Sequence, residues 1–283
     1  TNVARRLMAG RMLGPDGRLI AVGDRHQAIY GFTGASADAL DIISEHFDCK
    51  QLPLTVSWRC ARRIVEEARL YVSHIEPAPG APSGKVSSLE EQEFEKITPE
   101  PTDVILCRNT QPIVSLALRY LAKDVAACVE GRDIGRSLIK LVKKWKKVKK
   151  IGQLRNALER HLDKESKRLA KKSGGKIHAL RDRVDSLNAI MDTMHDDDHI
   201  EALAIKIDSL FKDSAGLHKQ VLTLSTIHKA KGREWDRVYL YGRNKFMPSH
   251  YAKQEWELEQ ENNLAYVAVT RAKTELVDVR LDY

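Results

Sequence analysis

Long apolar runs are missing from this 283-residue sequence; none approaches the ~18 residues that a membrane-spanning helix needs. Missing too is the amino-terminal order of charged, apolar and small residues that marks a secretory signal, so a cytoplasmic location is expected. The first residue is Thr1 rather than Met, which suggests a piece of a longer chain. The four cysteines, Cys49, Cys60, Cys107 and Cys128, form no C-x-x-C pair, which argues against a zinc ribbon or a thioredoxin-type site and leaves them as reduced bystanders. The phosphate-cradling string G-x-x-x-x-G-K-[ST] is absent. Its nearest approach, Ser173 to Ile177, has Ala170 where the first glycine belongs and Ile177 where the hydroxyl belongs. No apolar strand ending in paired acids appears either.

Apolar residues make up 42% of the chain, enough for a soluble globular protein of about two domains. The net charge of +8 is unevenly placed. Between Arg132 and Lys176, 17 basic residues face 4 acidic ones, a local +13, so the remainder carries 8 − 13 = −5. A polyanion is the natural partner of such a segment, and a solvated helix face is the other reading.

Short β-rich runs precede polar stretches along the chain: Leu19–Val22, Leu52–Val56, Asp103–Cys107, Val221–Ser225 and Arg237–Gly242. Each reads as a strand buried on both faces. Between them lie helical periods at Ala37–Phe47, Ala61–Val72 and Pro112–Leu121, the last with Thr110 as its expected cap. This alternation predicts an α/β fold, a parallel sheet with helices on both faces, in which ligands gather at the carboxyl ends of strands. His74–Lys85 reads as a Pro/Gly-rich surface loop. From about Gly135 the texture becomes helical. Leu154, Leu158, Leu162 and Leu169 mark one face, and Ile177, Leu180, Val184, Leu187, Met191 and Met194 repeat at alternating threes and fours after a turn. That pattern predicts an inserted helical hairpin with a coiled-coil-like seam, followed by a short helix at 200–211.

Four stretches make chemical sense together when a nucleotide and a nucleic acid are both present. In "VGDRHQAIYGFTGA", Gln27 suits a water or a γ-phosphate, and Tyr30 and Phe32 suit bases. In "LTVSWRCARR", the flat ring of Trp58 adjoins the fork of Arg59, one fit for a purine and the other for phosphates. "LTLSTIHKAKGREWDRVYL" holds Thr226, His228, Lys229, Gly232 and Glu234. "ENNLAYVAVTRAK" ends with Arg271 on an expected helix. Singly, Trp58 and Phe32 also read as core aromatics, Arg59 and Arg271 as surface or ion-paired arginines, and His228 as a satisfied core histidine. Gly31, Gly34 and Gly232 suit tight turns under any function. The string "HDDDH", His195 to His199, could hold a metal through two imidazoles one helical turn apart, or be an exposed acidic helix end, and the second reading is taken.

In this order, the four strings resemble motifs III, IV, V and VI of the UvrD/Rep-type superfamily 1 DNA helicases, over about Ala21 to Lys273 apart from the helical insert. The resemblance implies RecA-like domains of the P-loop NTPase type with ATP in the cleft between them. By position it implies that Gln27, Arg59 and Arg271 are catalytic. Gln27 couples the γ-phosphate to the DNA site, and Arg59 and Arg271 act as two arginine fingers. It further implies that Trp58 stacks on adenine, that Glu234 near Gly232 meets the ribose, and that Tyr30, Phe32, Thr226 and His228 line the single-strand track. Thr33 departs from the arginine usual there. The phosphate loop and Mg2+ ligands are expected upstream of Thr1.

The expected organisation is residues 1–50 as the carboxy-terminal part of a first RecA-like domain, 51–132 and 216–283 as two segments of a second, and 133–215 as a basic accessory subdomain. Within the insert, "KKWKKVKK" places Lys143, Lys144, Lys146 and Lys147 around Trp145, suited to duplex or junction DNA beside the single-stranded DNA expected on the track. The expected function is the carboxy-terminal part of an ATP-dependent helicase moving 3′ to 5′, inactive as an ATPase in this chain alone. The rival is a non-catalytic DNA-binding module.

Overall fold

The computed structural model of the protein describes residues 3–14, 16–31, 38–169, 174–212 and 221–282. Phe32, Thr33 and Gly34 therefore lie outside the described residues, as does the string 170–173. In chain order, helices α1 (Val3–Met12) and α2 (Ala39–His46) flank a 3-10 turn at Arg25–Gln27. Short strands β1 (Val56–Ser57) and β2 (Glu76–Pro77) pair around α3 (Arg62–Ala68). Next come β3 (Lys85–Glu90), α4 (Glu91–Phe94), β4 (Val104–Cys107), α5 (Thr110–Ala122) and β5 (Ala127–Glu130). Four helices follow: α6 (Arg132–Val142), α7 (Ile151–Leu169), α8 (Gly174–Met191) and α9 (Ile200–Leu210). The chain then returns through β6 (Phe211–Lys212), β7 (Leu222–Thr226), α10 (Ile227–Ala230), β8 (Trp235–Tyr241), α11 (Arg243–Phe246), α12 (Glu255–Val269) and β9 (Ala272–Arg280).

Seven strands form one parallel sheet in the order β3-β9-β8-β4-β7-β5-β6. Parallel neighbours need crossovers, and helices supply them on both faces, which is why the central strand β4 is apolar and buried on every residue. Successive side chains serve opposite cores. Ile105, Cys107, Leu224, Tyr239 and Val277 join α5 and the four-helix insert, whereas Val104, Leu106, Val238, Leu240 and Leu276 join α3, α10 and α12. The expected α/β architecture with an inserted helical unit is therefore present. The insert shares its core with one sheet face: Leu154 and Leu158 of α7 and Leu180, Val184, Leu187 and Met191 of α8 are buried in the same cluster as Val129 and Leu224.

Four expectations need correction. Leu19–Val22 forms no strand; no described strand pairs with it, and Ile20 and Val22 are 78% and 85% exposed. Leu52–Val56 shrinks to the two-residue β1, with Leu54 92% exposed, because its ladder partner among the described residues is the equally short β2. Thr110 is the first residue of α5 rather than its cap. The α5 N-terminus is capped from α8 instead, where the Asp182 carboxylate accepts the backbone N–H of Thr110 at 3.1 Å and of Gln111 at 2.9 Å. The helical texture breaks at the lysine-rich string, which forms turns between α6 and α7.

Candidate nucleotide and nucleic-acid site

Three segments distant in sequence meet beside the carboxyl-terminal part of α12. Ala61 donates its N–H to the Lys273 carbonyl at 2.7 Å, and Trp235 donates to the Arg271 carbonyl at 3.0 Å. These contacts bring Arg59, Glu234 and Arg271 together. The Arg59 guanidinium pairs with the Glu234 carboxylate, both side chains more than two-fifths exposed, so the pair is weakly held and exchangeable. Arg271 is 1% exposed. It donates from Nε to the Val267 carbonyl at 2.9 Å, from Nη1 to the Arg233 carbonyl at 2.8 Å and from Nη2 to Thr270 Oγ1 at 3.2 Å. No carboxylate pairs with this guanidinium among the described residues. Burial, and then the nearby Arg59, push its pKa down. A buried cation bonded to carbonyl and hydroxyl dipoles, with its nearest carboxylate, Glu234, engaged by Arg59, gains from an anion brought to it. Trp58 stands 80% exposed next to the fork. Gly232 adopts φ +88 with open space where a Cβ would sit, so the backbone conformation, not crowding, requires glycine there.

The Gln27 turn is gripped by the same region. Asp24 accepts the His26 N–H at 2.8 Å and Gln27 Nε2–H at 2.9 Å. Lys231 Nζ donates to the Gln27 carbonyl at 2.7 Å, and Asn263 Nδ2 donates to the carbonyls of Arg25 and Ala28 at 3.2 and 3.4 Å. Ile29 is buried in the core that α10 and α12 line, and the Gly31 N–H reaches Gln260 Oε1 at 3.1 Å. A Cβ on Gly31 would collide with that Gln260 amide.

Of the expected strand-track residues, Tyr30, Thr226 and His228 are brought together at the carboxyl end of β7. Tyr30 donates its hydroxyl to the His228 carbonyl at 2.7 Å, their rings lie 6.2 Å apart, and Lys231 Nζ sits 5.3 Å from the centre of the Tyr30 ring. Thr226 is buried, and its hydroxyl caps α10 by accepting the Lys229 N–H. The His228 imidazole is pushed down to about 3, by burial first and the Arg108 guanidinium second, so it is neutral near pH 7.

Several neighbours escaped the sequence reading. Arg108 forks onto Glu261 with contacts of 2.8 to 3.2 Å, and Glu261 also accepts the Ser249 N–H at 3.0 Å. The ring of His178 donates to Asn109 Oδ1 at 3.2 Å and stacks on Tyr251, with centroids 4.9 Å apart and 23° between planes. Arg108 and Asn109 directly follow β4, a position where ligands of parallel sheets gather, and that signal was readable. Nothing in the sequence pairs His178 with Tyr251.

In the basic turn, Lys143, Lys144, Lys146 and Lys147 are exposed. Trp145 packs against the insert core, edge-on to His161 at 5.5 Å, with Lys144 Nζ near both rings. Lys143, Lys146 and Lys147 have no carboxylate partner among the described residues. The "HDDDH" string forms a turn in which two of the three acids are engaged by cations, Asp197 with Lys150 at 2.6 Å and Asp196 with Arg155 at 3.2 Å, while Asp198 accepts the His195 N–H at 2.9 Å. No group of three metal-ligating side chains occurs among the described residues, and no described helix is long and apolar enough to cross a membrane.

A family model described as "UvrD-like helicase C-terminal domain" matches residues 52–278. The chain is similar to F-box DNA helicase protein 1 of Schizosaccharomyces pombe, 25% identical over 282 residues that cover 92% of this chain and 30% of that protein. It is similar at 25% identity over 307 residues to ATP-dependent DNA helicase UvrD2 of Mycobacterium tuberculosis, covering 93% of this chain and 43% of the relative. A shorter match of 73 residues, 41% identical, covers 25% of this chain and 10% of ATP-dependent DNA helicase PcrA of Bacillus subtilis. The chain thus spans less than half the length of these relatives.

Proposed function

Because this chain belongs to the UvrD-like helicase C-terminal domain family, we propose that it is the carboxy-terminal portion of an ATP-dependent DNA helicase that moves 3′ to 5′ on single-stranded DNA and unwinds duplex. One observation carries the reading. Arg59 and Arg271, separated by more than two hundred residues, converge beside an exposed indole, Arg59 on the Glu234 carboxylate and Arg271 on the carbonyl of the preceding Arg233. In this reading residues 1–50 end a first RecA-like domain, 51–132 and 216–283 form the second, and 133–215 form the accessory unit.

The donors fit a nucleotide polyphosphate: among the described residues Arg271 is buried without a carboxylate partner, and Arg59 is held by an exposed pair. They do not make a magnesium site, since no three ligating side chains converge among the described residues. Bound ATP supplies the free energy of γ-phosphoryl hydrolysis. Trp58 offers its face to the base, and Glu234, on releasing Arg59, offers a carboxylate to ribose hydroxyls. Arg59 and Arg271 bring positive charge to oxygens on which negative charge builds. Gln27 orients the attacking water, its backbone fixed by Lys231 and Asn263 so that the turn moves with α10 and α12. Tyr30 and His228 line the strand path, and Lys143, Lys144, Lys146 and Lys147 contact duplex phosphates.

The test is single-stranded-DNA-stimulated ATP hydrolysis by the full-length protein, comparing Arg59→Ala and Arg271→Lys with wild type. Turnover is expected to fall about 10³-fold or more in both, with DNA binding retained. Undiminished turnover in folded variants would sink the finger assignments, and a wild type without turnover would favour the binding-module reading. Residues 1–283 alone are expected to hydrolyse no ATP.

A further inference from the structure

Two ring pairs lie at the carboxyl edge of the sheet, and the imidazole of each feels the charge of one guanidinium. Tyr30 and His228 form the first, at 6.2 Å. His178 and Tyr251 form the second, a near-parallel stack at 4.9 Å that joins α8 of the helical insert to the loop before α12. Arg108 is close enough to disfavour protonation of both imidazoles, and Glu261 holds its fork rigid.

We propose that His178 and Tyr251 form a nucleobase-stacking station that extends the single-strand path from the sheet edge onto the helical insert. The inference rests on the DNA reading above and assigns it a further subsite. Both rings are partly exposed, so each keeps aromatic surface open to a ligand. The His178 ring is fixed by its bond to Asn109, and α8 is fixed by the bonds from the α5 N-terminus to Asp182, so the platform is preorganised and loses little freedom on binding. Neutral imidazole and phenol rings accept any base, because every base has a π face, and a strand crossing the sheet edge meets the two stations in succession. The lysine-rich turn lies on the same insert and suits the backbone of the nucleic acid beyond.

The test uses the full-length protein and an oligothymidylate carrying one 2-aminopurine, walked along its length. In wild type and in Tyr251→Phe, which keeps the ring, one position beyond the Tyr30 contact is expected to be quenched by stacking. In Tyr251→Leu, which keeps bulk but has no π face, that quench is expected to vanish and the Kd to weaken about 5- to 150-fold. His178→Leu is expected to do the same, and thermal unfolding of each variant reports whether the fold is kept. Unchanged affinity and quenching in folded Tyr251→Leu, with wild type binding tightly, would overturn the station while leaving the helicase reading intact. Failure of wild type to bind the oligomer at all would sink both.

Discussion

Replacing Glu261 by alanine would leave the Arg108 guanidinium without its counter-ion in a largely buried place where water substitutes poorly. The Arg108 side chain is 19% exposed and that of Glu261 10%. Three N–H···O bonds of 2.8 to 3.2 Å and the one from the Ser249 N–H would disappear together. Breaking a buried ion pair by deleting one partner costs about 3–5 kcal/mol, whereas removing both partners is far less costly because no charge is stranded. In a chain of this size each kcal/mol lowers Tm by about 2–4 °C, so Glu261→Ala is expected to melt about 6–20 °C below wild type. The double variant Arg108→Met/Glu261→Ala is expected to recover most of that loss. Calorimetry on the four proteins of this cycle gives the coupling directly. A double variant destabilised by the full sum of the two single changes would refute the argument that the pair is buried and mutually compensating.

Two further outcomes follow from the same region and from the insert. The folded His228 imidazole titrates at about 3 against 6.5 for the ordinary group, so the unfolded chain binds its proton first. Stability is then expected to fall as pH drops from about 6.5 toward 3, by up to about 1.4 kcal/mol per pH unit from this group, and His228→Gln should flatten that limb of the urea midpoint against pH; an unaltered slope would contradict the burial argument. Changing Lys143, Lys146 and Lys147 to glutamine should leave Tm unchanged, because all three are exposed and have no carboxylate partner among the described residues. It should also reduce the slope of log K for duplex binding against log salt by about 0.9 for each phosphate that is no longer neutralised, and an unchanged slope would remove the turn from the DNA interface.

Much of the fold was readable because local pattern and burial agree. The runs at Asp103–Cys107, Val221–Ser225 and Arg237–Gly242 became the doubly covered strands β4, β7 and β8, and the threes-and-fours of Leu180, Val184, Leu187 and Met191 became the buried face of α8. β3 was not legible: at the sheet edge four of its six residues, Lys85–Glu90, are polar, and it lacks the apolar signature. Leu19–Val22 carried that signature and formed no strand, because a strand needs a ladder partner and the sequence does not say whether one is present. The site divides along the same line. Residue types and motif order determined which side chains could meet a nucleotide or a strand, since Trp58, Arg59, Glu234 and Arg271 carry their chemistry wherever they lie. Only the tertiary structure decided that Arg59 rests on Glu234, that Asp182 caps a helix about seventy residues away, and that His178 stacks on Tyr251. Those contacts join residues far apart in the chain, and closure of the sheet and its crossovers, not any local periodicity, brings them within reach.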